Sequence, residues 1–152
     1  MKGLQISIIL LLVLLSVQGW TGDYVNLFAV FPSGPVKTTV GGLVAALESA
    51  GIAEVFHASL AFAILAVSIL DVLLSLMHKA KSLRVASILG LAAVVSALVG
   101  GLLFVFSGFT NNGNSAQMGG SFIGAYAFYF LELYYTKGQA GLKASSGAAA
   151  AV

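Results

Sequence analysis

Four apolar stretches, each about as long as a bilayer is thick, make up most of this 152-residue chain. They cover 4–20, 55–77, 85–109 and 115–135. A helix needs about 20 residues to cross the hydrocarbon core. None of the four contains proline, and the interiors of the second and third hold one ionisable side chain, Asp71. Lipid offers backbone groups no hydrogen bonds, so the expected form is helix. Charged residues are only 8% of the chain, against roughly 25% in soluble domains. Too few remain to cover a water-facing surface. The 59% hydrophobic content and mean hydropathy of +1.03 exclude a chain disordered throughout.

The basic residues give an orientation. Lys2 precedes the first stretch, Lys79, Lys81 and Arg84 separate the second from the third, and Lys137 and Lys143 follow the fourth. Lys37 alone lies on the other side. The expected fold is therefore all-α: an up-down four-helix bundle in the cell (plasma) membrane, with both termini cytoplasmic. Segments 21–54 and 110–114 then face outside. The first stretch has a rival reading as a secretory signal, through Lys2, its Leu/Ile run and Val17-Gln18-Gly19. The preferred reading keeps it as the first helix.

Within 21–54, Phe31, Pro32, Ser33, Gly34 and Pro35 form a turn region. Thr38 or Thr39 is placed to cap a short helix over 40–50. Asn114 or Ser115 is the expected cap of the fourth long helix. The Gly/Ala/Ser-rich segment 138–152 reads as a disordered cytoplasmic tail.

Several chemistries are absent. With no cysteine there is no disulfide, thiolate metal site or iron–sulfur cluster. The seven Lys and Arg form no cluster that would track a nucleic-acid backbone. No P-loop, nucleophile elbow or HExxH motif is present, so independent catalysis is not expected. The expected partners are membrane lipid and other membrane subunits.

The helix faces carry more. In the second stretch, His57, Ile64, Asp71 and His78 are spaced by sevens, with Ala61, Ser68 and Ser75 beside them. These residues share one stripe, and a polar stripe in a membrane helix points into the bundle. In the fourth, Met118, Ser121, Ala125, Phe128, Glu132 and Tyr135 recur at threes and fours. Tyr126 and Tyr129 fall off that stripe and read as facing a partner subunit. Asp71 follows His57 by fourteen residues, and Glu132 follows Met118 by fourteen. Each step is about 21 Å along a helix. In a simple bundle these two helices are diagonal, so His57 meets Met118 at one level and Asp71 meets Glu132 at another.

Two expectations follow. At the first level, His57 and Met118 are candidate axial ligands of a b-type haem. Gly19, Gly22, Gly100 and Gly101 flank it, letting backbone approach a flat ring, and Trp20, Phe56, Phe104, Phe106 and Phe122 line it. The same level would alternatively shape a quinone site. At the second level, Asp71 and Glu132 are a proton-handling or buried polar pair, with His78 near the same end. Glu132 reaching out to Lys137 is the structural alternative. The leading functional expectation is a small membrane subunit of a redox or electron-transfer complex. A cofactor-free accessory subunit of a membrane complex is the second, and a transporter or channel component the third.

Overall fold

The computed structural model describes residues 2–32, 34 and 36–149; Met1, Ser33, Pro35 and 150–152 lie outside the described residues. Two residues of the expected 31–35 turn and the end of the expected tail therefore fall there. The chain is all-α, with five helices: α1 (Lys2–Phe28), α2 (Val40–Ala50), α3 (Ile52–Leu76), α4 (Lys81–Phe106) and α5 (Asn112–Ala149). Three of them, α1, α3 and α4, are long and apolar enough to cross a membrane, the mark of a multi-pass membrane protein. α5 is longer but more polar and falls short of that mark over its described residues.

The boundaries have local causes. α1 runs eight residues beyond Trp20, because no proline intervenes before Pro32. Trp20, Tyr24 and Phe28 then form an exposed ladder at steps of four, with ring centroids 6.4 and 4.9 Å apart. α2 starts where expected: Thr39 accepts a hydrogen bond from the Gly42 amide at 3.1 Å, satisfying an otherwise orphaned donor. The cap of α5 is Asn111 rather than Asn114 or Ser115. Its Oδ1 accepts from the Gly113 and Asn114 amides at 3.0 and 3.4 Å, so the helix begins a turn earlier. α5 also continues past Tyr135 and is helical through Ala149, where the sequence suggested a tail without regular structure. The alanines there favour helix.

α4 ends on two residues with left-handed backbone, Gly108 (φ 70°) and Phe109 (φ 61°). The Phe109 amide reaches back to the Phe104 carbonyl at 3.0 Å, a closure that satisfies terminal carbonyls. A side chain at 108 would also strike the Gly34 carbonyl, 2.7 Å from where its Cβ would sit. Phe109 is held by stacking on Phe31 (centroids 4.6 Å apart) and by an edge contact with Phe104.

The four long helices pack in a ring in which α1 touches α3 and α5, and α4 touches α3 and α5. Among the described residues no backbone contact joins α1 to α4 or α3 to α5, so these pairs are the diagonals. Neighbours run antiparallel: Gln18 meets His57, Ser75 meets Ser87, and Ser96 meets Ser121. Leu4, Ile8, Leu11 and Leu15 of α1, Ile64 of α3, Leu83 and Val94 of α4, and Ala125 and Tyr129 of α5 form the core. α2 lies across one end of the ring. There Ala46 and Ala50 join Val105 and Phe109 in a second apolar cluster with Phe31, Val36, Leu43 and Leu47. The small residues of α4 serve contacts within the chain. Gly100 lies against the backbone of Asn114 and Met118, and Gly90 lies against the ring of Tyr129.

Candidate functional site

Beneath α2 the ring encloses a cavity of about 350 Å³, at the lower end of the range for small-molecule pockets. His57 of α3 and Met118 of α5 both line it, from diagonal helices, as the fourteen-residue register requires. Gly19, Gly22 and Gly101 line it too. Leu15, Ile64, Val94 and Ala125 close its far side, where the apolar core begins.

The expected glycine slot is partly filled by the protein's own side chains. A Cβ at Gly19 would sit 2.9 Å from the Phe122 ring, one at Gly22 3.0 Å from His57 Cε1, and one at Gly101 3.3 Å from Met118 Sδ. Gly100 serves a close approach of α4 to α5 and does not line the cavity. Of the expected aromatic lining, Phe104 and Phe122 are present. Trp20 is 71% and Phe56 52% exposed. Neither they nor Phe106 line the cavity, because the helix turn carries all three to other faces.

His57 is held on both sides of its ring by α1. Thr21 Oγ1 stands 3.1 Å from Nδ1, and Gln18 Nε2 stands 3.0 Å from Nε2. Thr21 Oγ1 also stands 3.1 Å from the Gln18 carbonyl. With its hydroxyl hydrogen given to that carbonyl, Thr21 accepts from His57 Nδ1–H, and the Nε2 lone pair faces the Gln18 amide. The ring lies on α1 rather than reaching across to Met118. Glu54, in the first turn of α3, is a further buried acid at the wall. Thr21 and Glu54 escape the sequence reading because it ends the first helix at Trp20 and assigns 21–54 to a loop, and Gln18 escapes it as part of the signal-like Val17-Gln18-Gly19.

Further along the ring, toward the α3–α4 turn, lies the second candidate group. Asp71 and Glu132 are both 0% exposed and face each other across the diagonal. Ser7 of α1 stands beside Asp71. Tyr129 stands beside Ser68 and within electrostatic range of both acids. Both oxygens of each carboxyl, Ser7 Oγ and Tyr129 Oη are buried without a hydrogen-bond partner. Glu132 turns inward, and Lys137 is exposed, so the alternative in which it reaches out to that lysine is not the one adopted.

The buried stripe of α5 is Ala125, Tyr129, Glu132 and Thr136. It is offset by one residue from the expected positions of Phe128 and Tyr135. Tyr129, expected to face a partner subunit, is instead fully buried among the helices. The absent side chain of Gly90 is the reason: a Cβ there would sit 2.7 Å from the Tyr129 ring. His78 lies in the turn past the end of α3, where its carbonyl accepts from Arg84 Nε at 2.8 Å.

Among the described residues no group of three or more His, Asp or Glu is placed to hold a metal ion. His57 and Met118 remain a candidate pair for an iron already held in a macrocycle, which needs only two protein ligands. Compared with family models, with curated proteins and with solved structures, the chain has no match.

Proposed function

We propose that this chain is a small subunit of a membrane redox complex, and that the cavity beneath α2 takes a flat, apolar redox cofactor. In this reading α1, α3, α4 and α5 all cross the plasma membrane as an up-down bundle, with both termini cytoplasmic and α2 outside. The observation that carries it is the pairing of His57 and Met118 on the wall of one cavity. The arrangement suits a b-type haem. Ligating histidines commonly hand their other ring N–H to an acceptor that fixes the ring, and Thr21 Oγ1, 3.1 Å from Nδ1, is placed to be that acceptor. Iron would take the lone pair that Gln18 now meets, so Gln18 would move aside. Bound there, haem would supply one-electron transfer.

A specific observation favours a second reading. His57 and Gln18 together present a hydrogen-bonding edge beside apolar walls, and Gln18 Oε1 is buried without a partner. A quinone headgroup needs such an edge. One experiment separates the two. The protein is expressed with haem supplied, purified in detergent, and examined by a reduced-minus-oxidised visible spectrum, pyridine extraction and lipid extraction. Haem predicts a b-type spectrum that His57→Ala abolishes and Gln18→Ala retains. Quinone predicts no haem spectrum, with co-purified quinone that both variants lose. Neither signal from folded, full-length protein would leave a cofactor-free accessory subunit.

A further inference from the structure

The Asp71–Glu132 group goes beyond the cofactor reading and does not depend on it. Most hydroxyls around it have a traceable hydrogen. Ser68 donates to the Ile64 carbonyl at 2.8 Å and Thr136 to Leu133 at 2.7 Å. Ser75 and Ser87 bond to each other at 2.6 Å, so one of them donates to the other, and the second is left to donate to its carbonyl, Val72 at 2.8 Å for Ser75 or Arg84 at 3.2 Å for Ser87. That leaves Ser7 of α1 and Tyr129 of α5 as the nearby hydroxyls whose hydrogens are uncommitted. Four carboxyl oxygens face them. Among the described lysines and arginine, Lys2, Lys79, Lys81 and Lys137 are exposed, and Arg84 is turned to the carbonyls of Leu76 and His78. Two ionised carboxylates this close in a buried site repel strongly and do not both persist. A single proton placed on one of them turns an acceptor into a donor and closes the bond between them.

We infer that Asp71 and Glu132, with Ser7 and Tyr129 beside them, form a proton-binding site inside the helix ring, which exchanges its proton with the cavity through Tyr129 and Ser68. The route follows from depth. Ile64 and Ala125 belong to the cavity floor. Ser68 and Tyr129 come one turn further along the same helices, and Asp71 and Glu132 come seven residues after Ile64 and Ala125, about 10 Å on. The transfer balances at each oxygen. Tyr129 Oη accepts the carboxyl proton as it gives its own to Ser68 Oγ. Ser68, turning from the Ile64 carbonyl, in turn gives its own to a water molecule in the cavity, leaving both hydroxyls as they began. At the other end the hydroxyls are closed into the Ser75–Ser87 bond.

Infrared spectroscopy of the purified full-length chain, in detergent at neutral pH, tests this directly. The expected result is a carbonyl band of a protonated carboxyl that shifts in heavy water and disappears in Asp71→Asn/Glu132→Gln. Wild-type protein without such a band, or a double variant that keeps it, would overturn the site. Circular dichroism checks folding. If the double variant does not fold, Glu132→Gln alone gives the reading: loss or displacement of the band supports the site, and an unmoved band sinks it. Tyr129→Phe should keep the band but slow its exchange into heavy water by about a hundredfold or more, the usual size of a positioned proton-transfer group. Exchange at the wild-type rate would refute the route.

Discussion

The two ends of the helix ring use the same diagonal geometry to opposite effect. Near α2, glycines on α1 and α4 make room for Phe122, His57 and Met118 at the wall of a cavity, and His57 already has partners on both nitrogens. Toward the α3–α4 turn, the space is filled by the Tyr129 ring, and the polar atoms of Asp71, Glu132, Ser7 and Tyr129 are left unpaired. The first end is roomy and, Gln18 Oε1 aside, satisfied, so it suits a molecule that brings its own shape. The second is tight and unsatisfied, so it suits the smallest ligand available, a proton. Packing density, more than the number of polar groups, separates a binding cavity from a relay.

If that contrast is right, glycine substitutions should have very unequal effects at the two ends. Gly90→Val places its side chain into the Tyr129 ring, which is fixed by the core around it. It should lower stability by roughly 1–3 kcal/mol, seen as a lower thermal midpoint in detergent. A midpoint equal to wild type would mean that the inner end is not tightly packed. Ser75→Ala removes one side of the buried Ser75–Ser87 bond while Ser87 keeps its carbonyl partner. A loss of about 1 kcal/mol is expected in the same assay. Gly101→Ala meets only the sulfur of Met118, a movable group on a flexible side chain. It should change stability by no more than about 0.5 kcal/mol. A penalty as large as that of Gly90→Val would show the cavity wall to be as rigid as the inner core.

Much of this was legible in the sequence, for identifiable reasons. A histidine, an acid and serines at heptad spacing stand out against Leu, Val and Ile, so the α3 stripe could be read directly. The equal fourteen-residue intervals in α3 and α5 carried the register across the diagonal. Thr39 announced α2 because a side-chain acceptor before an apolar run has few other uses. Tyr129 was hidden because it sits among Tyr126, Phe128 and Phe130, where no contrast marks one ring as interior. Only its fit to Gly90, 39 positions away on another helix, decides it. Gln18 and Thr21 were missed for a different reason. Apolar content falls after Trp20, yet the helix continues, and the stripe Leu11, Leu15, Gln18, Gly22 and Val25 emerges only once α1 is extended to Phe28.

One residue, Gly51, joins α2 to α3, and its left-handed backbone (φ 105°) sets the angle between them. A single residue offers only two soft dihedrals, so there is no slack between the two helices. α2 is therefore a handle as well as a cover. Its far end leads to a longer connection, while its near end is geared through Gly51 to the first turn of α3. Any displacement of α2 would turn that gear, and the teeth it moves are Glu54 and, one turn later, His57.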